Sequence, residues 1–218
     1  MSNELLHEGL KLLGLDGRAG LEVGLQRYRA AIEAWNPAYG LVGANGDELV
    51  IKHLLDSLAP LTLLEGLFPE RREGISLADL GTGAGLPGIP LALAKPDWHI
   101  SLVDRMTRRI NFLKEMQGTL PLLNVDIVEE QVERYRGSHD IVSFRAFKPF
   151  ERKLFKKVFA ACAQDGFVAA YKGKADKARD ELAAIEGLYS SADILPLRVP
   201  FLEDERCIVL LRPAKKGA

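Results

Sequence analysis

The chain has 218 residues, of which 47% are hydrophobic and 27% charged. That length suits one domain with an appendage, and that composition excludes disorder as the default state. The net charge is −1 and the two cysteines, Cys162 and Cys207, lack CxxC spacing, which argues against a disulfide framework or a zinc site and for a reducing compartment. The first 13 residues carry Glu4 and Glu8 without a basic n-region, unlike a signal peptide. No apolar run approaches the ~18 residues of a membrane span. A cytoplasmic protein with no membrane contact and no metal is expected.

In chain order, residues 4–13 read as a short helix and 20–35 as a longer one. Leu21, Leu25, Tyr28, Ile32 and Trp35 build one apolar stripe along it. Asn36-Pro37 is the expected stop. After the turn at Asn45-Gly46-Asp47, Glu48–Leu58 reads as helical again, and a charged linker runs from Pro69 to Gly74. Residues 1–74 are thus expected to form a helical cap, and 75–218 a core. In the core, strands are expected at Ser76–Leu80, His99–Val103, Val125–Val128, Ile141–Phe144 and Phe167–Tyr171. Helices are expected between and after them at 86–94, 107–117, 150–163 and 174–186. That alternation predicts an α/β fold with a parallel, Rossmann-like sheet. Late strands near 194–199 and 206–211, joined through Phe201–Glu205, suit an antiparallel hairpin at the sheet edge.

The strongest local signal is Asp79-Leu80-Gly81-Thr82-Gly83-Ala84-Gly85-Leu86-Pro87-Gly88. An apolar strand runs into alternating glycines and then a helix, which is where a ligand lies against bare backbone. Gly81, Gly83, Gly85 and Leu86 are therefore candidate cofactor contacts. Asp104 ends the next strand, placed to accept ribose hydroxyls. Gly83 to Gly88 also fits GxGxxG, so NAD is an alternative, as is a purely structural glycine-rich turn. Against NAD, Gly81 already closes the strand, and Pro87 lacks an N–H in a loop that would have to donate to pyrophosphate. Asp79 also sets up Asp-x-Gly-x-Gly-x-Gly, the spacing of class I S-adenosylmethionine-dependent methyltransferases.

Residues 79–91, Asp-Leu-Gly-Thr-Gly-Ala-Gly-Leu-Pro-Gly-Ile-Pro-Leu, resemble the signature of the RsmG family, also called glucose-inhibited division protein B. Further stretches match it: Trp35-Asn36-Pro37-Ala38-Tyr39, His53-Leu54-Leu55-Asp56-Ser57, Arg145-Ala146-Phe147 and Lys172-Gly173. The chain departs from the family's pattern at Gly40-Leu41-Val42 and at Phe144. The resemblance implies an enzyme that carries a methyl group from S-adenosylmethionine to N7 of a guanine in 16S ribosomal RNA. It also implies cofactor contacts from Gly81, Leu86, Val132-Glu133 beside the adenine, and Arg145. His53, Asp56 and Ser57 share one helical face and are expected either to brace the cofactor loop or to form a local hydrogen-bonded cluster.

Guanine N7 has a lone pair and no proton, so its methylation needs alignment and no general base. The sequence lacks the Asn/Asp-Pro-Pro-Tyr/Phe motif of amine methylation and the Pro-Cys pair of pyrimidine C6 attack. Arg145, just past the fourth strand, is the expected catalytic residue, with the cofactor carboxylate, guanine O6 or an RNA phosphate as its partner. Charge is uneven: residues 1–104 hold 8 Lys/Arg against 14 Asp/Glu, while residues 105–179 hold 16 against 9. That basic middle suits an RNA partner, 16S rRNA or the small ribosomal subunit. Its candidate contacts are Arg108, Arg109, Arg152, Lys156 and Lys172, and a monomer is expected. The alternatives are another RNA or small-molecule methyltransferase of this fold, or a non-catalytic RNA-binding assembly factor.

Overall fold

The computed structural model describes residues 2–71, 74–145 and 149–214. Its centre is a seven-stranded sheet in the order β3-β2-β1-β4-β5-β7-β6. The strands are β1 (Ser76–Leu80), β2 (His99–Asp104), β3 (Val125–Glu129), β4 (His139–Arg145), β5 (Cys162–Lys172), β6 (Tyr189–Leu197) and β7 (Arg206–Pro213). The first five are parallel, and β7 runs antiparallel to both its neighbours. The chain winds outward from β1 through β2 to β3, then returns to place β4 on the other side of β1. The strand order therefore reverses between β1 and β4, and open sheets of this kind bind ligands beyond the carboxyl ends of their strands at such a point.

Strand parity sorts the side chains into two cores. Leu77, Ile141, Ala169 and Ile208 face one way, together with α6 (Gly88–Ala94), α7 (Thr107–Thr119) and the N-terminal helices. Ala78, Val142, Val168 and Val209 face the other way, against α8 (Arg152–Ala160) and α9 (Ala175–Ala183). Asp79, Ser143, Arg145 and Tyr171 share the parity of the first set. They point toward the helical cap, and this period of two decides which residues can meet at the site.

The cap comprises α1 (Ser2–Leu12), α2 (Leu21–Tyr39), α3 (Gly46–Leu49), a π-helical stretch (Val50–Leu55), α4 (Asp56–Leu58) and α5 (Leu61–Glu65). The expected stripe of α2 holds: Leu21, Leu25, Tyr28 and Ile32 are buried, and Trp35 packs edge-on to Phe112 and Tyr39. The expected stop at Asn36-Pro37 is wrong. The helix continues through Pro37 and ends at Gly40, whose φ is 56° and whose N–H bonds Asn36 O. Pro37 stands in the last turn, where its missing N–H forfeits a single helical bond. Asn36 instead clamps the chain beyond the helix, since its amide bonds both the N–H and the carbonyl of Val42. Among the described residues no helix is long and apolar enough to cross a membrane.

Candidate functional site

The glycine loop turns at the end of β1. Gly81, Gly83 and Gly85 have φ of 71°, 63° and 94°, which side-chain-bearing residues adopt only under strain. Its N–H groups are largely spent within the protein. Gly81 and Thr82 donate to Val103 O, Gly85 and Leu86 to Thr82 O, Gly83 to Asp104 Oδ2 and Gly88 to Asp79 Oδ2. A loop so committed is a poor cradle for pyrophosphate, whose recognition relies on unpaired backbone donors. It suits a nucleoside ligand without phosphate. A Cβ on Gly83 would meet nothing closer than Gly81 O at 4.0 Å, so this face of the loop is open to a ligand.

Asp79 holds the loop from beneath. It is fully buried and accepts from Thr82 Oγ1 at 2.6 Å, Gly88 N at 3.0 Å and Ser143 Oγ at 3.3 Å. Burial raises its pKa to about 6, against the opposing effect of those hydrogen bonds. The cap holds the loop from above, for Tyr28 Oη donates to Ala84 O at 2.6 Å.

Asp104 stands at the end of β2 beside the loop. Its carboxylate accepts from Gly83 N at 3.0 Å, Met106 N at 2.9 Å and Arg109 Nη1 at 3.1 Å. A carboxylate offers about four lone-pair sites, which leaves one for a ribose hydroxyl before Arg109 moves. A hollow of about 420 Å³ opens alongside, lined by Arg105, Met106, Glu129, Glu130 and Gln131 at the ends of β2 and β3. Val132 follows directly and is buried against the second core, while Glu133 is exposed.

Arg145 ends β4 and reaches into the cap. Nη1 donates to Lys52 O and Asp56 Oδ2, both at 3.0 Å, and Nη2 meets His53 Nδ1 at 2.8 Å. Asp56, also buried, takes a second cation, with Arg206 Nε at 3.2 Å from Oδ1. Ser57 is tied in by its backbone, whose carbonyl accepts from Tyr171 Oη at 3.0 Å. The expectation that His53, Asp56 and Ser57 brace the glycine loop is therefore corrected. They hold Arg145 and β5, because β4 and β5 present Arg145 and Tyr171 on the cap side, and the loop is braced by Tyr28. Beside this network lies a cavity of about 550 Å³, lined by His53, Arg145, Lys172, Lys174, Lys177 and Arg206 among others. Ala146 and Phe147 of the Arg-Ala-Phe motif lie outside the described residues.

The family model GidB, described as rRNA small subunit methyltransferase G, matches residues 22–209. The chain belongs to this family. A ribosomal RNA small subunit methyltransferase G from Nitrosococcus oceani is 36% identical over 223 residues, covering 100% of this chain and 98% of that protein. One from Polynucleobacter asymbioticus is 31% identical, covering 99% and 98%. The fold is that of class I methyltransferases. The magnesium protoporphyrin IX methyltransferase of Synechocystis, solved with bound SAM, superposes with a TM-score of 0.58 at 13% identity, over 85% of this chain and 97% of that one. The tRNA (m1A58) methyltransferase of Aquifex aeolicus superposes at 0.55 and 13%, over 74% and 69%. This chain is an S-adenosylmethionine-dependent methyltransferase.

The basic residues picked out from the methyltransferase's sequence fall into two groups. Arg108 and Lys156 are exposed. Three others are engaged within the protein: Arg109 on Asp104, Arg152 on Glu186 O, and Lys172 on Glu181 and over the Phe150 ring. Sequence reading missed Tyr28, Arg206, Lys174 and Lys177. Tyr28 carried a signal, because a tyrosine on a buried stripe needs a partner for its hydroxyl. Arg206 carried none, since its partner Asp56 lies 150 positions away.

Proposed function

We propose that this methyltransferase modifies N7 of a guanine in 16S ribosomal RNA. The match of nearly the whole chain to proteins named for small-subunit rRNA methylation carries this reading. When bound, S-adenosylmethionine supplies an electrophilic sulfonium methyl. Gly81, Gly83, Gly85 and Leu86 form the wall against which it lies, Asp104 accepts its ribose hydroxyls, and Val132-Glu133 flanks the adenine. Because N7 needs no deprotonation, the protein's work is to orient the base and exclude water. Arg145 is the catalytic residue of this proposal. Both N–H groups of its Nη1 are spent on the cap, so Nε and one N–H of Nη2 are left to meet ligand or base.

The RNA backbone is held by the basic middle of the chain. Arg108 and Lys156 are free to meet phosphate; Arg152 and Lys172 lie nearby but are anchored, and Arg109 becomes available if ribose displaces it from Asp104. A monomer working in the cytoplasm fits this assignment. The deciding experiment incubates the protein with labelled cofactor and ribosomal RNA or small subunits from cells lacking the gene, then maps the modified base. Label at N7 of one small-subunit guanine is expected. Label on another base, or on small molecules instead of RNA, overturns the proposal.

A further inference from the structure

Arg145 is a permanent donor, so the nitrogen it meets on His53 must accept. Nδ1 of His53 is therefore bare, and a neutral ring then carries its proton on Nε2. Burial and the Arg145 charge keep the ring neutral, with a pKa lowered to about 4. The Nε2–H finds no partner among the described residues, nor is it a buried orphan. His53 lines the 550 Å³ cavity together with Arg145. The π-helical stretch that carries Lys52 and His53 thus turns one ring edge to Arg145, and Nε2 on the opposite edge keeps solvent access on a residue that lines the cavity.

We infer that His53 is a specificity-determining residue, its fixed Nε2–H donating to the exocyclic oxygen at C6 of the acceptor purine. O6 and N7 of guanine are neighbours on one edge of the base, so a donor placed on O6 presents N7 beside it. Adenine carries an amino group there, and its N–H would face the His53 N–H. The same contact thus favours one purine and rejects the other. This inference rests on the proposed guanine-N7 activity.

The test uses RNA that the wild type methylates, made with either guanine or 2-aminopurine at the acceptor position. 2-Aminopurine keeps N7 and lacks O6. Loss of one such hydrogen bond should lower wild-type kcat/KM about tenfold. In His53→Ala, activity on guanine should fall, and the ratio between the two substrates should collapse toward one. His53→Gln, whose amide can donate, should recover part of the ratio and serves if the alanine variant folds poorly. A ratio that survives in His53→Ala, or a wild-type ratio already near one, overturns the inference and leaves His53 as a support for Arg145. No methylation of guanine RNA by the wild type would instead remove the proposed function, and the inference with it.

Discussion

The hydroxyl of Tyr28 donates to the carbonyl of Ala84 at 2.6 Å, so a helix of the cap fixes the centre of the glycine loop. Burial raises the phenol pKa well above its ordinary value, so it stays a donor throughout the physiological range. Tyr28→Phe keeps the ring and leaves Ala84 O unpaired. Loss of a buried hydrogen bond with an orphaned partner costs about 1–3 kcal/mol. Urea unfolding should show that loss, and calorimetry should show weaker S-adenosylmethionine binding. Unchanged cofactor affinity would mean that the loop holds its shape without the cap.

Asp79 makes a testable link to pH. Its folded pKa, about 6, lies above the ordinary 3.8 because the group is buried. Its contribution to stability is full below the unfolded value and is lost as pH rises through the folded one, at a cost of about 3 kcal/mol. Asp79→Asn removes this titration while keeping an acceptor for Thr82 and Gly88. The variant's stability relative to wild type should therefore climb between about pH 4 and about pH 6.5. Denaturant melts at several pH values measure the difference, and a flat difference contradicts the assignment.

Gly83 and Gly88 should fail in opposite ways. A side chain at Gly83 enters open space, so Gly83→Val should fold, with a strain of about 1–2 kcal/mol, and lose cofactor binding. A Cβ at Gly88 would stand 2.2 Å from Leu102 Cδ2 and 3.0 Å from Asp79 Oδ2. Gly88→Val should therefore unfold at lower temperature whether or not cofactor is present. Thermal melts with and without S-adenosylmethionine separate the two behaviours, and a cofactor-induced shift in Gly83→Val speaks against the site.

The basic helix α8 offers a test of RNA docking. Replacing Arg152, Lys153, Lys156 and Lys157 together by Gln should flatten the salt dependence of RNA binding. On single strands the log–log slope should shrink by about 0.7 for each phosphate that is no longer neutralised. Cofactor affinity should not change. Because Arg152 also bonds Glu186 O, a triple variant that retains Arg152 is the control for stability. Wild-type slopes in both variants would mark α8 as a solvated face.

Much of the core is legible in the sequence because its signals are local. β1 spans Ser76–Leu80, as expected, since an apolar run closed by Gly81 allows little else. Asp104 stands at the end of β2 for the same reason. The cap is harder to read. Pro37 looks like a stop until the αL glycine three residues later is weighed against it, and the Val50–Leu55 stretch has no pattern that separates a π turn from an α-helix. α5 escapes notice because five residues carry too little periodicity. The site's long-range partners are not legible at all. Arg145 meets His53 and Asp56 across about ninety positions, and the sheet's order and strand parity create those meetings.

The placement of β7 between β5 and β6 also sets an order of assembly. Among the described residues β6 pairs with β7 alone, so it has no seat in the sheet until residues 206–213 exist. Arg206, at the head of that strand, is the second cation on buried Asp56. A nascent chain can complete the cap, the glycine loop and β4 and still hold Asp56 against Arg145 alone. The anchorage of Arg145 reaches its final charge balance only once synthesis has passed Arg206. Until then, a partial chain that has already formed its glycine loop lacks the finished Arg145 network.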